Sequence, residues 1–280
     1  MADKILVVFV LYKENFFECA SYKTFSLEAL GGVNKIYIYD NSPEAHGYDD
    51  LSKIKDLGFE YIHDHENPGV SQAYNIAAAY AKKNGYNWLL ILDQDTSYKT
   101  SSLCKYREAI ASVQDNEFVA VISPLLTDSN GKINSPAKNY YGRYFPVGGK
   151  FNGGFFDIQK YSCMNSGLLI KTTCFEEVKG YDSSLFYFSD HDFFYRLGLL
   201  SKRMYVSQVV ASHEASGGSD VLCIDDLLKR FYFVVRDGKK FSRKVGFFHK
   251  IGTYSVILTR LLKLVMITRT LKPVSIFING

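Results

Sequence analysis

NWLLILDQDTSY (87–98) runs from an apolar stretch into two carboxylates, Asp93 and Asp95, set on either side of Gln94. The uncharged half reads as a strand buried on both faces, the pattern of a parallel sheet covered by helices. Two acids left together at the end of such a strand would repel each other and lose hydration, so a positive partner is expected there, first of all a divalent cation. Asp95 is the primary expected ligand of that cation. In the competing reading the acids cap a helix that follows from Tyr98.

Upstream, strands and helices alternate. ILVVFVLY (5–12), KIYIYD (35–40) and FEYIHD (59–64) read as strands, and ENFFECASYKTFSLEAL (14–30) reads as a helix stopped by Gly31 and Gly32. In NPGVSQAYNIAAAYAKKNG (67–85), Asn67 is expected to cap a helix, Pro68 to open it and Asn84-Gly85 to close it. The fold expected is α/β, a Rossmann-like, mostly parallel central sheet flanked by helices, followed by a C-terminal helical appendage. Ligands of such sheets bind at the carboxyl ends of the strands. Asp40, Asp64 and Asp93 all fall at such ends, so one edge collects acids.

A chain of 280 residues, 47% hydrophobic and 22% charged, can bury a full core. Its five cysteines are scattered singly, without zinc spacing, which fits a reduced, cytoplasmic setting. MADKILVVFVLYKEN carries too short an apolar run for a secretory signal, so no export is expected. The net charge of +4 is uneven: nine Lys or Arg and no acid follow Asp237, leaving 24 basic against 29 acidic residues up to and including it, a balance of −5. That basic tail also holds an apolar run from Tyr254 to Ile267, interrupted by Arg260 and Lys263. The interruptions leave no uncharged stretch of the roughly 18 residues expected of a spanning helix. The tail is expected to lie on an anionic membrane surface, peripheral on the inner face of the cell membrane, or to pack on its own domain or a second subunit. No recognition motif points to nucleic acid.

With the motifs in order, the chain resembles glycosyltransferase family 2, enzymes of the GT-A fold that move a sugar from a nucleotide diphosphate to an acceptor hydroxyl. The resemblance covers about residues 4 to 237. It implies that Asp40 faces the nucleobase, that Asn67, Gly69, Ala73 and Asn75 form the helix start beside the nucleotide, and that Asp93-Gln94-Asp95 is the Asp-x-Asp motif. Tyr12 joins this nucleotide-sugar set at the end of the first strand, where LYKEN replaces the usual Thr-Tyr-Asn-like turn. LLILDQDTS is similar to the bacterial rhamnosyltransferase branch, which implies dTDP-L-rhamnose as donor, with UDP-galactose or UDP-glucose as the alternative. Charge builds on the departing diphosphate as the glycosidic bond breaks, and Mg2+ or Mn2+ would stabilise it. By the same resemblance Asp93 faces the ribose or acts through water, and His213, ending the strand of VVASHEASGG (209–218), joins Asp95 at the metal. Taken as a lone histidine, His213 is otherwise a structural hydrogen bonder.

In GYDSSLFYFSDHDFFYRLGLL (180–200), Asp190 falls on the family's catalytic carboxylate, with Asp192 and Arg196 after it and Ser189 in place of a Glu. A base held opposite the leaving group would accept the acceptor's proton. Asp192 and Arg196, one helical turn apart, read as an ion pair. MNSGLLI (164–170) resembles the acceptor-side strand, which implies that Ser166 and Gly167 meet the acceptor, a glycan or lipid-linked glycan. Tyr232 and Arg236, in RFYFVVRDGKK (230–240), are placed near donor or acceptor by resemblance, or form a stacked surface pair. RYFPVGGKFNGGFF (143–156) reads as a mobile flap or as an irregular β-excursion. The expected division is a catalytic domain over 1–223, with a nucleotide-sugar half at about 1–98 and an acceptor half at about 99–223, then a helical segment over 224–280. Two rivals stand beside this reading. One is a haloacid-dehalogenase-type phosphatase with Asp93 as nucleophile, although its Gly-Asp-x-x-x-Asp motif is missing. The other is a non-catalytic sugar-nucleotide-binding or membrane-docking module.

Overall fold

A computed structural model describes residues 3–25, 35–148, 151, 153–213 and 223–280. The chain opens with β1 (Ile5–Leu11), α1 (Ala20–Thr24), β2 (Lys35–Asp40), α2 (Tyr48–Asp56), β3 (Glu60–His63), α3 (Val70–Lys83) and β4 (Trp88–Asp93). All seven residues of β1 are buried, as an unbroken apolar run demands of a strand covered on both sides. After β4 come β5 (Thr96–Tyr98), α4 (Ser102–Val113), β6 (Val119–Thr127) and β7 (Ile133–Ser135). Next are β8 (Ala137–Tyr140), β9 (Arg143–Pro146), β10 (Gly154–Asp157) and β11 (Tyr161–Ser162). β12 (Leu169–Lys171), α5 (Thr172–Glu177), α6 (Ser189–Leu199) and β13 (Arg203–His213) complete the mixed α/β body.

The main sheet has the order β10-β13-β6-β12-β4-β1-β2-β3. β4, β1, β2 and β3 are mutually parallel, as are β6 and β13, and β12 runs antiparallel between β4 and β6. Register sets Val10 opposite Asp93 and Leu11 opposite Asp40, so the acids do line one edge. Two buried clusters, one on each face of the sheet, form the core. β11, β8 and β9 build a separate three-stranded sheet, and β10 adds to the edge of the main one, which makes the 143–156 segment a β-excursion. Gly149, Lys150 and Asn152 lie outside the described residues.

Three local expectations change. Among the described residues of 14–30 the helix runs from Ala20 to Thr24, because Asn15 folds the preceding segment into a turn: its side chain accepts the Phe17 N–H and its carbonyl those of Glu18 and Cys19. Residues 26–34 lie outside the described residues. α3 is capped by Gly69 rather than Asn67: at φ 91°, where glycine alone is unstrained, the chain turns in and the helix begins at Val70. No helix follows the acids directly; β5 does, and α4 starts at Ser102, so neither Asp93 nor Asp95 is a helix cap.

Residues 224–280 form α7 (Ile224–Ser242), α8 (Phe247–Thr268) and α9 (Lys272–Asn279) around a third apolar cluster. That cluster includes Phe188, two residues before Asp190, so the helical segment grips the body beside the expected base. The grip is reinforced by Asp237, which is fully buried, accepts the N–H groups of Phe186 and Tyr187 at 2.6 Å each and pairs with Arg236 at 2.7 Å. Asp237→Ala strands two backbone donors and half-buries an unpaired guanidinium. The expected cost is about 3 kcal/mol in urea unfolding, and a loss below about 0.5 kcal/mol would refute this role.

At 22 residues α8 is, by length and composition, enough to cross a bilayer, which revises the expectation from sequence. Yet its Ile257, Leu261 and Leu264 are buried in the third cluster with Phe231, Val234 and Val235 of α7. Phe248, Ile251, Leu258, Leu262 and Met266 form an exposed stripe on another face. The basic residues divide as well: Lys239, Lys240, Lys244 and Arg260 turn inward onto carbonyls, carboxylates and the Tyr187 ring. Arg243, Lys250, Lys263, Arg269 and Lys272 stay exposed.

Candidate active site

β4 delivers Asp93 half-buried to the sheet edge, where Tyr74 of α3 donates to it at 3.3 Å and the Ser166 hydroxyl also donates. Asp95, one step into the turn, is more exposed and lies 3.5 Å from His213 at the end of β13. β5 makes this possible by pairing antiparallel with β13, setting Thr96 opposite His213, and the Thr96 hydroxyl bonds the ring Nδ1 at 2.8 Å. Ligand atoms of Asp93, Asp95 and His213 all lie within 4.8 Å of one another. Although half its side chain is exposed, desolvation by the surrounding turn pushes the Asp95 carboxyl up, the His213 ring pulls it down and the Asp93 charge pushes it up again. Two carboxylates and an imidazole crowded in this way suit a hard divalent cation, which would relieve the repulsion. The fit supports Asp95 and His213 as ligands, with Asp93 oriented by its two donors.

Gln94, in the middle of the motif, does not reach outward. Its Oε1 accepts the Tyr12 N–H at 2.8 Å and its Nε2 donates to the Tyr12 carbonyl at 3.3 Å, pinning the end of β1 to the end of β4. The Tyr12 ring itself is 45% exposed at this edge, open to a ligand. Asn67 and Gly69 lie on the same edge ahead of α3, with Asn67 exposed.

Asp40 and Asn75, both expected at the nucleotide, are spent inside the protein. Asp40 is fully buried, its carboxylate accepting from His46 at 2.9 Å, Tyr61 at 2.7 Å and the Ser42 N–H at 2.9 Å. Burial alone would raise its pKa, but the His46, Ser42 and Tyr61 hydrogen bonds outweigh it and hold the carboxyl at about 2. A carboxyl depressed from 3.8 to about 2 stabilises the fold fully above pH 3.8 and loses that contribution as pH falls through about 2. Asp40→Asn is therefore expected to flatten the acid limb of the stability curve between pH 4 and pH 2 by about 2 kcal/mol. An unchanged limb would contradict it. Asn75 donates to the Tyr181 carbonyl and accepts the Tyr181 N–H, each at 2.9 Å, bracing the loop that leads to α6.

Asp190 stands in the first turn of α6, 31% exposed, its Oδ1 accepting the His191 N–H at 2.8 Å. It lines a cavity of about 160 Å³ together with Asn134, Tyr144, Met164 and His191. The Tyr144 and His191 rings stack there at 4.3 Å and 9°. Burial, opposed by Asp190 and aided by Arg260, lowers the His191 pKa, so this ring is neutral near pH 7. Asp192 and Arg196 form the expected pair at 2.7 Å, and Asp192 is buried.

Ser166 reaches the site through Asp93, whereas Gly167 serves packing. A Cβ there would come within 3.0 Å of the Tyr106 hydroxyl, Pro124 and the Tyr98 hydroxyl, so the space glycine frees is filled by protein rather than left for a sugar. Tyr232 is exposed, and Arg236 lies over Phe233 at 4.9 Å instead of over Tyr232. Sequence reasoning missed Tyr74, Thr96, Tyr144 and His191. Thr96, directly after the second acid, was the one carrying a visible signal.

A family model for glycosyl transferase family 2 matches residues 28–172, just over half the chain. A sequence comparison with curated proteins returns no significant match. Among solved structures, S. aureus TarS 1–349 in complex with UDP-GlcNAc aligns with a TM-score of 0.59 at 14% identity, covering 99% of this chain and 79% of that one. GalNAc-T7 with UDP, GalNAc and Mn2+ aligns with a TM-score of 0.56 at 16% identity, covering 85% of this chain and 51% of that one. The chain thus spans about half the length of that second structure, and at these identities the likeness is one of fold.

Proposed function

The chain belongs to glycosyl transferase family 2, and on that premise we propose that it is an inverting, metal-dependent glycosyltransferase that passes L-rhamnose from dTDP-rhamnose to a polysaccharide or lipid-linked glycan. The observation that carries this reading is the cluster of Asp93, Asp95 and His213 at the carboxyl edge of the sheet, whose ligand atoms all lie within 4.8 Å of one another. Tyr74, which donates to Asp93 at 3.3 Å, packs on Tyr181 with ring centres 5.2 Å apart.

In the proposed reaction Asp190 takes the proton of the acceptor hydroxyl as that oxygen attacks the anomeric carbon. The bond from that carbon to the diphosphate breaks, and its electron pair leaves with the phosphate oxygen. Asp95 and His213 would hold a Mg2+ or Mn2+ ion, which would supply positive charge where the diphosphate departs. Asp93, fixed by Tyr74 and Ser166, faces the ribose or a water, and Tyr12 offers its ring to the donor. Arg236, which lines the space between α7 and the loop before α6, and Tyr232, on the same helix, are assigned a weaker part in donor or acceptor binding.

The rhamnose assignment rests on LLILDQDTS, and the UDP-bound neighbours support a second reading with a UDP-sugar donor. Thermal shift with Mn2+ separates them. A donor at 100 times its Kd stabilises by about 2.7 kcal/mol, so dTDP-rhamnose should raise the melting temperature above UDP-glucose, UDP-galactose or UDP-GlcNAc. A larger rise with any UDP-sugar removes rhamnose, and no rise with any donor removes the reading as a whole. The phosphatase rival lacks its Gly-Asp-x-x-x-Asp motif, and a non-catalytic module has no use for Asp190.

The proposal extends to a catalytic domain over 1–223 and a helical segment over 224–280 that rests on the cytoplasmic face of an anionic membrane. The exposed stripe of α8 and the five exposed basic residues support this placement. Leu262→Glu with Met266→Glu, both at exposed positions, should cut flotation with vesicles containing anionic lipid at least tenfold without lowering the melting temperature. Undiminished flotation rejects the membrane contact.

A further inference from the structure

A sizeable cavity lies away from the Asp-x-Asp edge. It has a volume of about 580 Å³ and sits between α6, the small sheet and the first turn of α8. α6 connects it to the base. Asp190, Phe194 and Gly198 are spaced four residues apart and share one face of the helix, which puts the two cavity residues about 6 and 12 Å along the axis from the base. β8 makes the same connection from the other side: Ala137 lines the small cavity with Asp190, and the three residues after it, Lys138, Asn139 and Tyr140, line the large one. The walls are aromatic, with Tyr161 and Tyr195 beside Phe194, and Lys160 stands at the exposed rim.

The geometry points to an acceptor-glycan subsite: this cavity holds the sugars adjacent to the one whose hydroxyl is deprotonated at Asp190. The inference rests on the transferase reading and adds where the rest of the acceptor lies. Flat aromatic faces suit the C–H faces of sugar rings, and lysines at the mouth supply donors for hydroxyl or acidic groups. A volume of this size is within the usual range of ligand pockets, whereas the 160 Å³ beside Asp190 is below it. The small cavity takes the reacting sugar's edge and the large one takes its neighbours. α8 closes the cavity because Gly252 lets it settle on the small sheet: a Cβ there would stand 1.8 Å from the Tyr141 carbonyl oxygen. His249 then reaches the cavity wall.

The test uses the full chain on a panel of immobilised glycans of one to five sugars, neutral and acidic, with and without alkyl aglycones. The expected result is that at least one glycan of two or more sugars is bound ten times more tightly than its terminal monosaccharide. Tyr140→Ala and Leu199→Trp, at exposed positions 56% and 65% accessible, should each weaken that binding at least tenfold while keeping the wild-type melting temperature. If one variant unfolds, the other still decides. Retention of no glycan, equal retention of monosaccharides, unchanged binding by the folded variants, or retention that follows the alkyl chain rather than the sugar would each overturn the subsite. Donor binding measured on the wild-type protein separates the two levels. With donor bound and no glycan preference, only the subsite fails; with no donor bound, the transferase reading fails.

Discussion

Asp95→Asn is expected to lower sugar transfer by about 10³-fold with little change in melting temperature. The amide keeps the shape of the side chain but forfeits the charge that would draw a cation to the edge of β4, and losing one preorganised group that stabilises departing charge costs on the order of 10² to 10³ in rate. The fold does not depend on this carboxylate. It is half exposed, and its close partner is His213 at 3.5 Å, itself held by Thr96 at 2.8 Å. Asp93→Asn should behave differently, because Asp93 accepts from Tyr74 and Ser166 and its loss disturbs buried donors as well as chemistry. Equal transfer by wild type and Asp95→Asn at saturating Mn2+ would remove Asp95 from the site.

Asp190→Asn should reduce kcat by about 10² to 10⁴, the range that general-base catalysis supplies, while leaving donor affinity within about twofold. The separation follows from position. Asp190 lies in the first turn of α6 on the cavity of about 160 Å³, and the metal-ligand candidates lie on β4, its following turn and β13. The substitution keeps the oxygen that accepts the His191 N–H, so the helix start should survive. Wild-type kcat in this variant would show that another group takes the proton.

What was legible in the sequence follows from how locally each feature is determined. β1, β2 and β4 are readable because a strand covered on both faces must be apolar throughout, and Asp40 and Asp93 mark the ends of β2 and β4. α2 was missed for the opposite reason: in YDDLSKIKD only Ile54 is buried, so no apolar face announces a helix. The helix read over 14–30 failed on Asn15, whose turn bonds compete with helical ones. At the site, residue types and strand-end positions were readable, but orientations were not. Asp40 turns inward because His46 and Tyr61 meet it, and Asn75 because Tyr181, 106 residues on, receives it. Gln94, at the centre of the motif, turns back to tie down Tyr12 through its amide. Long-range partners of this kind leave no spacing in the sequence to read.

The central claim is that a divalent ion held at Asp95 and His213 binds the diphosphate of the donor. Titrating UDP and dTDP into the protein calorimetrically, in Mn2+ and again in EDTA, tests it directly. The account predicts that at least one nucleotide binds ten times or more tightly with Mn2+, and that Asp95→Asn abolishes the difference. Identical affinities in Mn2+ and EDTA would contradict it.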